Sequence, residues 1–307
     1  MSLSLRQFEV FLAVARAGSF RRAAEALHLS QPALSQHVGE LEREFGVRLF
    51  DRSGRVVTPT EAGRVLQDHA HRLFATLTSI RDVLGELAGL TRGSLVIGAS
   101  TTPGVYVLPR VIAAYRERYP RIELSLRIAN SRVIKERIRA NELDLGVVGG
   151  YEARPGEECP VAGLQDELVL VVSPTHRWAR RREIRPDELS AASLLTREEG
   201  SATRQVTERA LQQAGVRFRA SMELGHTEAI KQAVMAGLGV AFVSVHAVRG
   251  ELKAGQLHAV RLKGLRIRRP FYILRHDARM LSRSAREFIA LLRAPSGRRA
   301  TPTVAKT

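Results

Sequence analysis

The chain has 307 residues, 44% of them hydrophobic and 26% charged, with 48 Lys and Arg against 31 Asp and Glu, a formal net charge of +17 and a single cysteine. That is enough chain for two or three domains, with an apolar content ordinary for a globular protein, and without the second thiol that an intramolecular disulfide needs. No apolar run approaches the roughly 18 residues of a membrane span, and no basic, then apolar, then small-residue leader opens the sequence, so a cytoplasmic protein with no membrane partner is expected.

The first predicted element is an apolar helix through Leu5, Phe8, Val10, Phe11, Leu12 and Val14. Ser19 then caps a helix that can be approached closely through Ala23, Ala24 and Leu27. After a turn at His28-Leu29, Ser30 caps another helix with Pro32 in its first turn, where a missing N–H is harmless. Leu34, Val38, Leu41 and Phe45 recur at three- and four-residue spacing and give this helix a buried face. Its other face carries Gln31, Ser35 and Gln36, side chains that donate and accept hydrogen bonds as base edges and phosphate oxygens require. The pair reads as a helix-turn-helix with the second helix entering a major groove, against the alternative of a solvated polar stripe. Val47 to Pro59 reads as two short strands around a Ser53-Gly54 turn, a wing with Arg52 and Arg55 placed for phosphate or minor-groove contact.

Phe20 to Ala24, Ser30-Gln31-Pro32-Ala33-Leu34-Ser35, Leu41-Glu42, Phe45-Gly46, Leu49-Phe50 and Thr58 to Gly63 together resemble the signature of LysR-type transcriptional regulators. The resemblance runs over nearly the whole chain. It implies that Ser30, Gln31, Pro32, Ser35 and Gln36 read or position double-stranded DNA and that Arg52 holds the wing. Two residues depart from the family pattern: Gly39, which weakens the helix and removes a phosphate contact, and Phe45, a larger core residue to be absorbed by repacking.

From Thr60 to about Leu90 the apolar residues Leu66, Ala70, Leu73, Leu77, Ile80, Leu84 and Leu87 alternate steps of four and three, the seam of a coiled coil. An identical partner helix would hold two winged helices at a fixed separation over dyad-related half-sites; packing against its own domain is the alternative. His69 and His71 fall on different faces, so no metal site is expected. Thr91 to Ser94 reads as the hinge into the next domain.

Beyond Leu95, strands and amphipathic helices alternate, the pattern of an α/β sheet. Strands are predicted at 95–99, 122–128, 143–148, 167–172, 194–196, 219–224, 240–244 and 270–274, and helices at 105–119, 131–140, 203–214, 227–236 and around 284–292. The LysR resemblance implies two subdomains joined by crossing segments around a cleft, as in periplasmic binding proteins. Loops after strands, at helix starts, are where such sheets take ligands. Ser100-Thr101-Thr102-Pro103-Gly104 and Glu199-Gly200-Ser201-Ala202-Thr203-Arg204 have hydroxyls and backbone N–H groups suited to a small oxyanion, although plain helix capping explains each alone. The resemblance favours an effector held by Ser100, Thr101, Thr102, Ser201 and Thr203, with Arg204 as charge partner. His226 is a further candidate that could equally cap the next helix. Residues 227–241 and 267–272 resemble regulators of carbon-fixation operons and related anion sensors.

The expected architecture is therefore multidomain: an all-α winged helix-turn-helix DNA-binding domain over 1–59, a linker and dimerisation helix over 60–92, an α/β effector domain over 93–295 and a flexible basic tail over 296–307. Within the effector domain, subdomain I covers about 93–162 and 268–295 and subdomain II about 163–267. The basic surplus sits outside the first 63 residues, at Arg177, Arg180 to Arg182, Arg261 to Arg269 and Arg298-Arg299, so charge alone does not locate a DNA surface. Cys159 is expected to be inert, with a sulfenate sensor as the alternative. No nucleophile elbow, phosphate-binding lysine loop, His-Glu-x-x-His or paired cysteine occurs, and neither enzymatic activity nor a cofactor is expected. The function these features imply is sequence-specific regulation of transcription by a homodimer or homotetramer that answers to a small anionic metabolite and contacts RNA polymerase. A non-specific architectural DNA protein and a solute-binding receptor are the rivals.

Overall fold

The computed structural model describes residues 3–54, 56–87, 93–150, 158–275 and 281–294. The chain divides into two compact units, one comprising Met1–Asp82 with Arg139–Glu142, the other Val83–Ile138 with Leu143–Thr307.

In the first unit, α1 (Leu5–Ala17) starts at a capping box in which the Ser4 hydroxyl accepts the Gln7 N–H and the Gln7 side chain accepts the Ser4 N–H. Ser19 caps α2 (Phe20–Leu27) and Ser30 caps α3 (Gln31–Phe45), each hydroxyl accepting an N–H three residues on. Val10, Phe11, Val14, Ala23, Ala24, Leu34, Val38, Leu41, Leu49 and Phe50 close one core between the three helices. Phe45 lies outside it at 42% exposure, contrary to the expected core substitution. The reason is local: α3 ends at Phe45, Gly46 turns left-handed at φ 67°, and the last turn projects past the core. The strands β1 (Phe50–Asp51) and β2 (Thr58–Pro59) pair antiparallel and form the wing, and α4 (Glu61–Leu87) comes next.

The second unit begins with β3 (Gly93–Ser100), α5 (Thr101–Tyr106), α6 (Leu108–Arg118), β4 (Ile122–Ala129), α7 (Ser131–Arg139) and β5 (Leu145–Gly149). Gly93 and Ser94, expected in a hinge, already belong to the strand. The helix expected from Val105 begins four residues earlier and breaks at Val107, because Pro109 has no N–H to give back to the preceding turn. Next come β6 (Glu158–Val172), β7 (Glu183–Ile184), a 3-10 helix (Pro186–Ala191), β8 (Leu194–Arg197), α8 (Ala202–Gln213), β9 (Ala220–Leu224), α9 (Thr227–Met235) and β10 (Val240–Ser244). The chain returns through α10 (Val245–Lys253), β11 (His258–Leu262), β12 (Ile267–Leu274) and α11 (Arg283–Arg293).

The described strands of this unit form one mixed sheet in the order β4-β3-β5-β12-β6-β10-β8-β9, with β11 beside β6 and β7 beside β11. The long strands β6 and β12 cross between its halves. In one half, Tyr272 to Leu274 pair with Pro160 to Glu158 and with β5; in the other, Ile267 to Pro270 pair with Leu168 to Gln165, and the register shifts between Pro270 and Tyr272. Separate cores mark the halves. Leu95, Ile97, Tyr115, Phe271 and Phe288 belong to the first, and Leu170, Trp178, Leu194, Leu211 and Phe242 to the second.

Candidate functional site

On α3, Gln31, Pro32 and Gln36 are exposed and Ser35 is half-buried. Ser30 is also exposed, and its hydroxyl accepts the Ala33 N–H at 3.3 Å. Arg52 is not loose on the wing: it donates to Glu42 Oε2 at 3.1 Å, and its guanidinium lies 4.6 Å above the Phe20 ring. Glu42 also accepts the Leu49 N–H at 2.8 Å, so one carboxylate joins α3 to both the start and the side chain of the wing. Arg55 lies outside the described residues.

On α4, Leu66 packs on the winged-helix core and Ala70 is buried within a single chain. The part of the seam left open comprises half-buried Leu73 and Leu77 and Ile80 at 48% exposure. Leu84 and Leu87 fall on α4 beyond the residues whose side chains are described.

The second unit brings the expected hydroxyls together. Ser100, Thr101, Thr102, Ser201 and Thr203 are all buried and line one space with Asn130, Ser131, Arg197 and Arg269. Two buried arginines bind the halves across it. Arg269 Nη2 donates to Thr102 Oγ1 at 3.1 Å and Nη1 to Thr203 Oγ1 at 3.0 Å. Arg197 Nη2 donates to Thr101 Oγ1 at 3.4 Å and Nη1 to Thr227 Oγ1 at 2.6 Å. Each guanidinium has a carboxylate: Asp166 for Arg269 at 2.7 Å, and Glu198 for Arg197 through bonds of 2.7 and 2.9 Å. Asp166 also accepts the Ser244 hydroxyl at 2.6 Å.

Other polar groups face the same space. Ser131 Oγ, in the first turn of α7, is buried with no hydrogen-bond partner among the described residues, and Ser201 does not use its hydroxyl to cap α8. Ser100 Oγ accepts the Gly149 N–H at 3.3 Å. The volume left open to a water is about 10 Å³, room for about one molecule. At its lip the Arg132 N–H donates to Gly200 O at 3.3 Å, and Arg132 Nη1 donates to Glu199 Oε1 at 3.1 Å.

Two expected site residues are not part of this lining. Arg204 turns to Glu208 at 2.8 Å and Glu223 at 2.5 Å, two carboxylates that draw its guanidinium away. His226 caps α9, its Nδ1 accepting the Glu228 N–H at 3.2 Å. The sequence reading missed Asn130, Ser131, Asp166, Arg197 and Arg269. The signal available was charge inside otherwise apolar strands: Arg197 ends the buried run Leu194 to Thr196, and Asp166 and Arg269 interrupt the two longest crossing strands.

Residues 5–64 match the family model described as bacterial regulatory helix-turn-helix protein, lysR family, and residues 88–295 match the LysR substrate binding domain. The chain is 39% identical to the RuBisCO operon transcriptional regulator of Allochromatium vinosum, over 94% of this chain and 96% of that one, in keeping with the resemblance to regulators of carbon-fixation operons. Among solved structures it is similar to the CcmR regulatory domain of Synechocystis PCC6803 in complex with 2-PG, at 30% identity and a TM-score of 0.60 over 66% of this chain and 97% of that one. It also shares its fold with full-length CbnR in complex with target DNA, at 23% identity and a TM-score of 0.67 over 95% of this chain and 99% of that one. With a winged helix-turn-helix and an effector-domain fold matched in order along one polypeptide, this chain belongs to the LysR family and is a DNA-binding transcriptional regulator.

Proposed function

We propose that this regulator controls a carbon-fixation operon and takes a small phosphorylated or carboxylated metabolite into the cleft lined by Thr102, Thr203, Arg197 and Arg269. The observation that carries the reading is the pair of buried guanidinium groups, each holding a hydroxyl from either half of the domain. An anion with several oxygens offers the guanidinium N–H groups a charged acceptor in place of a neutral hydroxyl, and offers the hydroxyls an ionised acceptor to donate to. With only about 10 Å³ open to a water while the cleft is self-bridged, a ligand of this size is admitted as the halves part, so binding shifts the population between a self-bridged and a ligand-bridged cleft. That Arg269 and Asp166 sit on the two crossing strands supports this coupling.

The chain acts as a homodimer or homotetramer joined through α4. Gln31, Pro32, Ser35 and Gln36 meet the major groove, while Ser30 and the wing arginines Arg52 and Arg55 meet or support contacts to phosphates. Domain limits near residues 59 and 92 and a subdomain division near 162 and 268 serve this organisation, and a ligand-dependent change in DNA bending alters promoter output through RNA polymerase.

A thermal-shift screen of the full-length protein with 2-PG, other phosphorylated carboxylates, sulfate and neutral analogues tests the cleft. A ligand at about 100 times its Kd adds roughly 2.7 kcal/mol of native stability. The expected result is a selective upward shift with anions that disappears in Thr102→Val and Thr203→Val while operator binding persists. An equal shift in wild type and both variants removes the cleft assignment. Near-equal affinity for operator and scrambled duplex favours the architectural rival.

A further inference from the structure

On α3, Gln36 is already held by its own helix: its Nε2 donates to Glu40 Oε1 at 3.0 Å, one turn along. The other carboxylate oxygen of Glu40 accepts from Gln7 Nε2 of α1 at 2.8 Å, and Gln7 Oε1 accepts the Ser4 N–H at 2.8 Å. His37 Nδ1 stands 3.9 Å from Glu40 Oε2. An ionised carboxylate only accepts, so both amides must turn their NH2 groups to it, and the chemistry fixes which end of Gln36 is engaged. Glu40 is a carboxylate at neutral pH, and these bonds, that from Gln36 foremost and that from Gln7 next, hold it below the usual carboxylate range.

We infer that Glu40 is a positioning residue for DNA readout, fixing the Gln36 amide so that its carbonyl oxygen and second N–H are presented together and read adenine in the major groove. The inference rests on the reading of α3 as the recognition helix. A primary amide has one acceptor and two N–H donors; with one N–H bound to Glu40, the remaining acceptor and donor match the N6 donor and N7 acceptor of adenine. Guanine offers acceptors at both N7 and O6, which sets O6 against the amide carbonyl. Freed from Glu40, the amide rotates about a broad terminal torsion and offers either end, so the preference for adenine over guanine is lost.

The test measures binding of the full-length wild type, Glu40→Ala, Gln36→Ala, the double variant and Gln7→Ala to operator duplexes substituted at every position, with unfolding temperature as a check on folding. We expect the wild type to favour adenine over guanine by about tenfold or more at one position of each half-site. Glu40→Ala loses that preference there and keeps the others; the double variant loses no more than Gln36→Ala alone; Gln7→Ala, which spares the Gln36–Glu40 bond, keeps it. A Glu40→Ala protein that binds every sequence more weakly with the preference intact overturns the inference, as do additive losses in the double variant. Specific operator binding with no position sensitive to Gln36 overturns it too, and leaves the regulator standing; absence of any operator preference in the wild type overturns both.

Discussion

Arg269 and Asp166 meet at 2.7 Å on the two strands that cross between the halves of the effector domain, their side chains 3% and 0% exposed. A buried pair of this kind is only modestly stabilising as a whole, but removing one member strands the other charge in a medium that cannot solvate it. Asp166→Ala should lower the stability of the domain by about 3–5 kcal/mol, and Asp166→Leu combined with Arg269→Met should recover much of that loss. Chemical unfolding of the variants decides the matter; equal destabilisation in the single and double variants would contradict it. The double variant should also fail to respond to anions, since Arg269 is the bridge between Thr102 and Thr203.

Gly200 sits at the lip of the cleft with φ +85°, and a Cβ there would lie 3.0 Å from Arg132 Cβ and 3.1 Å from its Nε. Gly200→Ala combines a disfavoured backbone conformation with a crowded neighbour. The expected cost is about 1–3 kcal/mol, with the Arg132 N–H to Gly200 O bond weakened. Calorimetry of the variant should show the lower transition; an unchanged one would mean that the lip relaxes freely.

Leu73, Leu77 and Ile80 leave an apolar stripe on α4 partly open in a single chain. Placing a carboxylate in a seam of this spacing leaves it unpaired once the helices close. Leu77→Glu should shift the sedimentation profile towards monomer and weaken operator binding at both half-sites. An oligomer that survives unchanged would assign the stripe to packing within the chain.

Glu188 accepts from Arg181 at 2.5 and 2.9 Å and from the Arg185 N–H at 2.8 Å, and the Arg181 bonds, foremost, bring its pKa from the usual 4.5 to about 2. A carboxylate whose folded pKa is depressed contributes stability above its unfolded value, and that contribution fades as the pH falls through the folded one. The difference in unfolding temperature between wild type and Glu188→Gln should therefore hold at neutral pH and narrow between pH 4.5 and 2. A difference independent of pH over that interval would assign the effect to packing alone.

Elements whose cause is local were legible from the order of residues. Ser19 and Ser30 cap their helices because a hydroxyl three residues before an N–H satisfies it in any surroundings, and Leu34, Val38 and Leu41 face the core because 3.6 residues make a turn. Strand positions came in the same way from runs such as Val240 to Ser244. Phe45 fitted that spacing and is nonetheless exposed, since periodicity says which face a residue takes and not where the neighbouring helix stops. The two longest crossing strands and α10 were only partly legible or not legible at all, because their register and partners lie far along the chain.

The cleft divides in the same manner. Ser100, Thr101, Thr102, Ser201 and Thr203 could be named from their places at strand ends and helix starts. It took the folded chain to select Arg197 and Arg269 as the groups that join them, while Arg204 is drawn away by Glu208 and Glu223. A guanidinium sits on a stem long enough to reach either solvent or the interior, and its choice rests on which carboxylates and hydroxyls the fold brings within about 3 Å. Arg269 meets Asp166 from 103 residues away and Thr102 from 167, separations that no local pattern encodes.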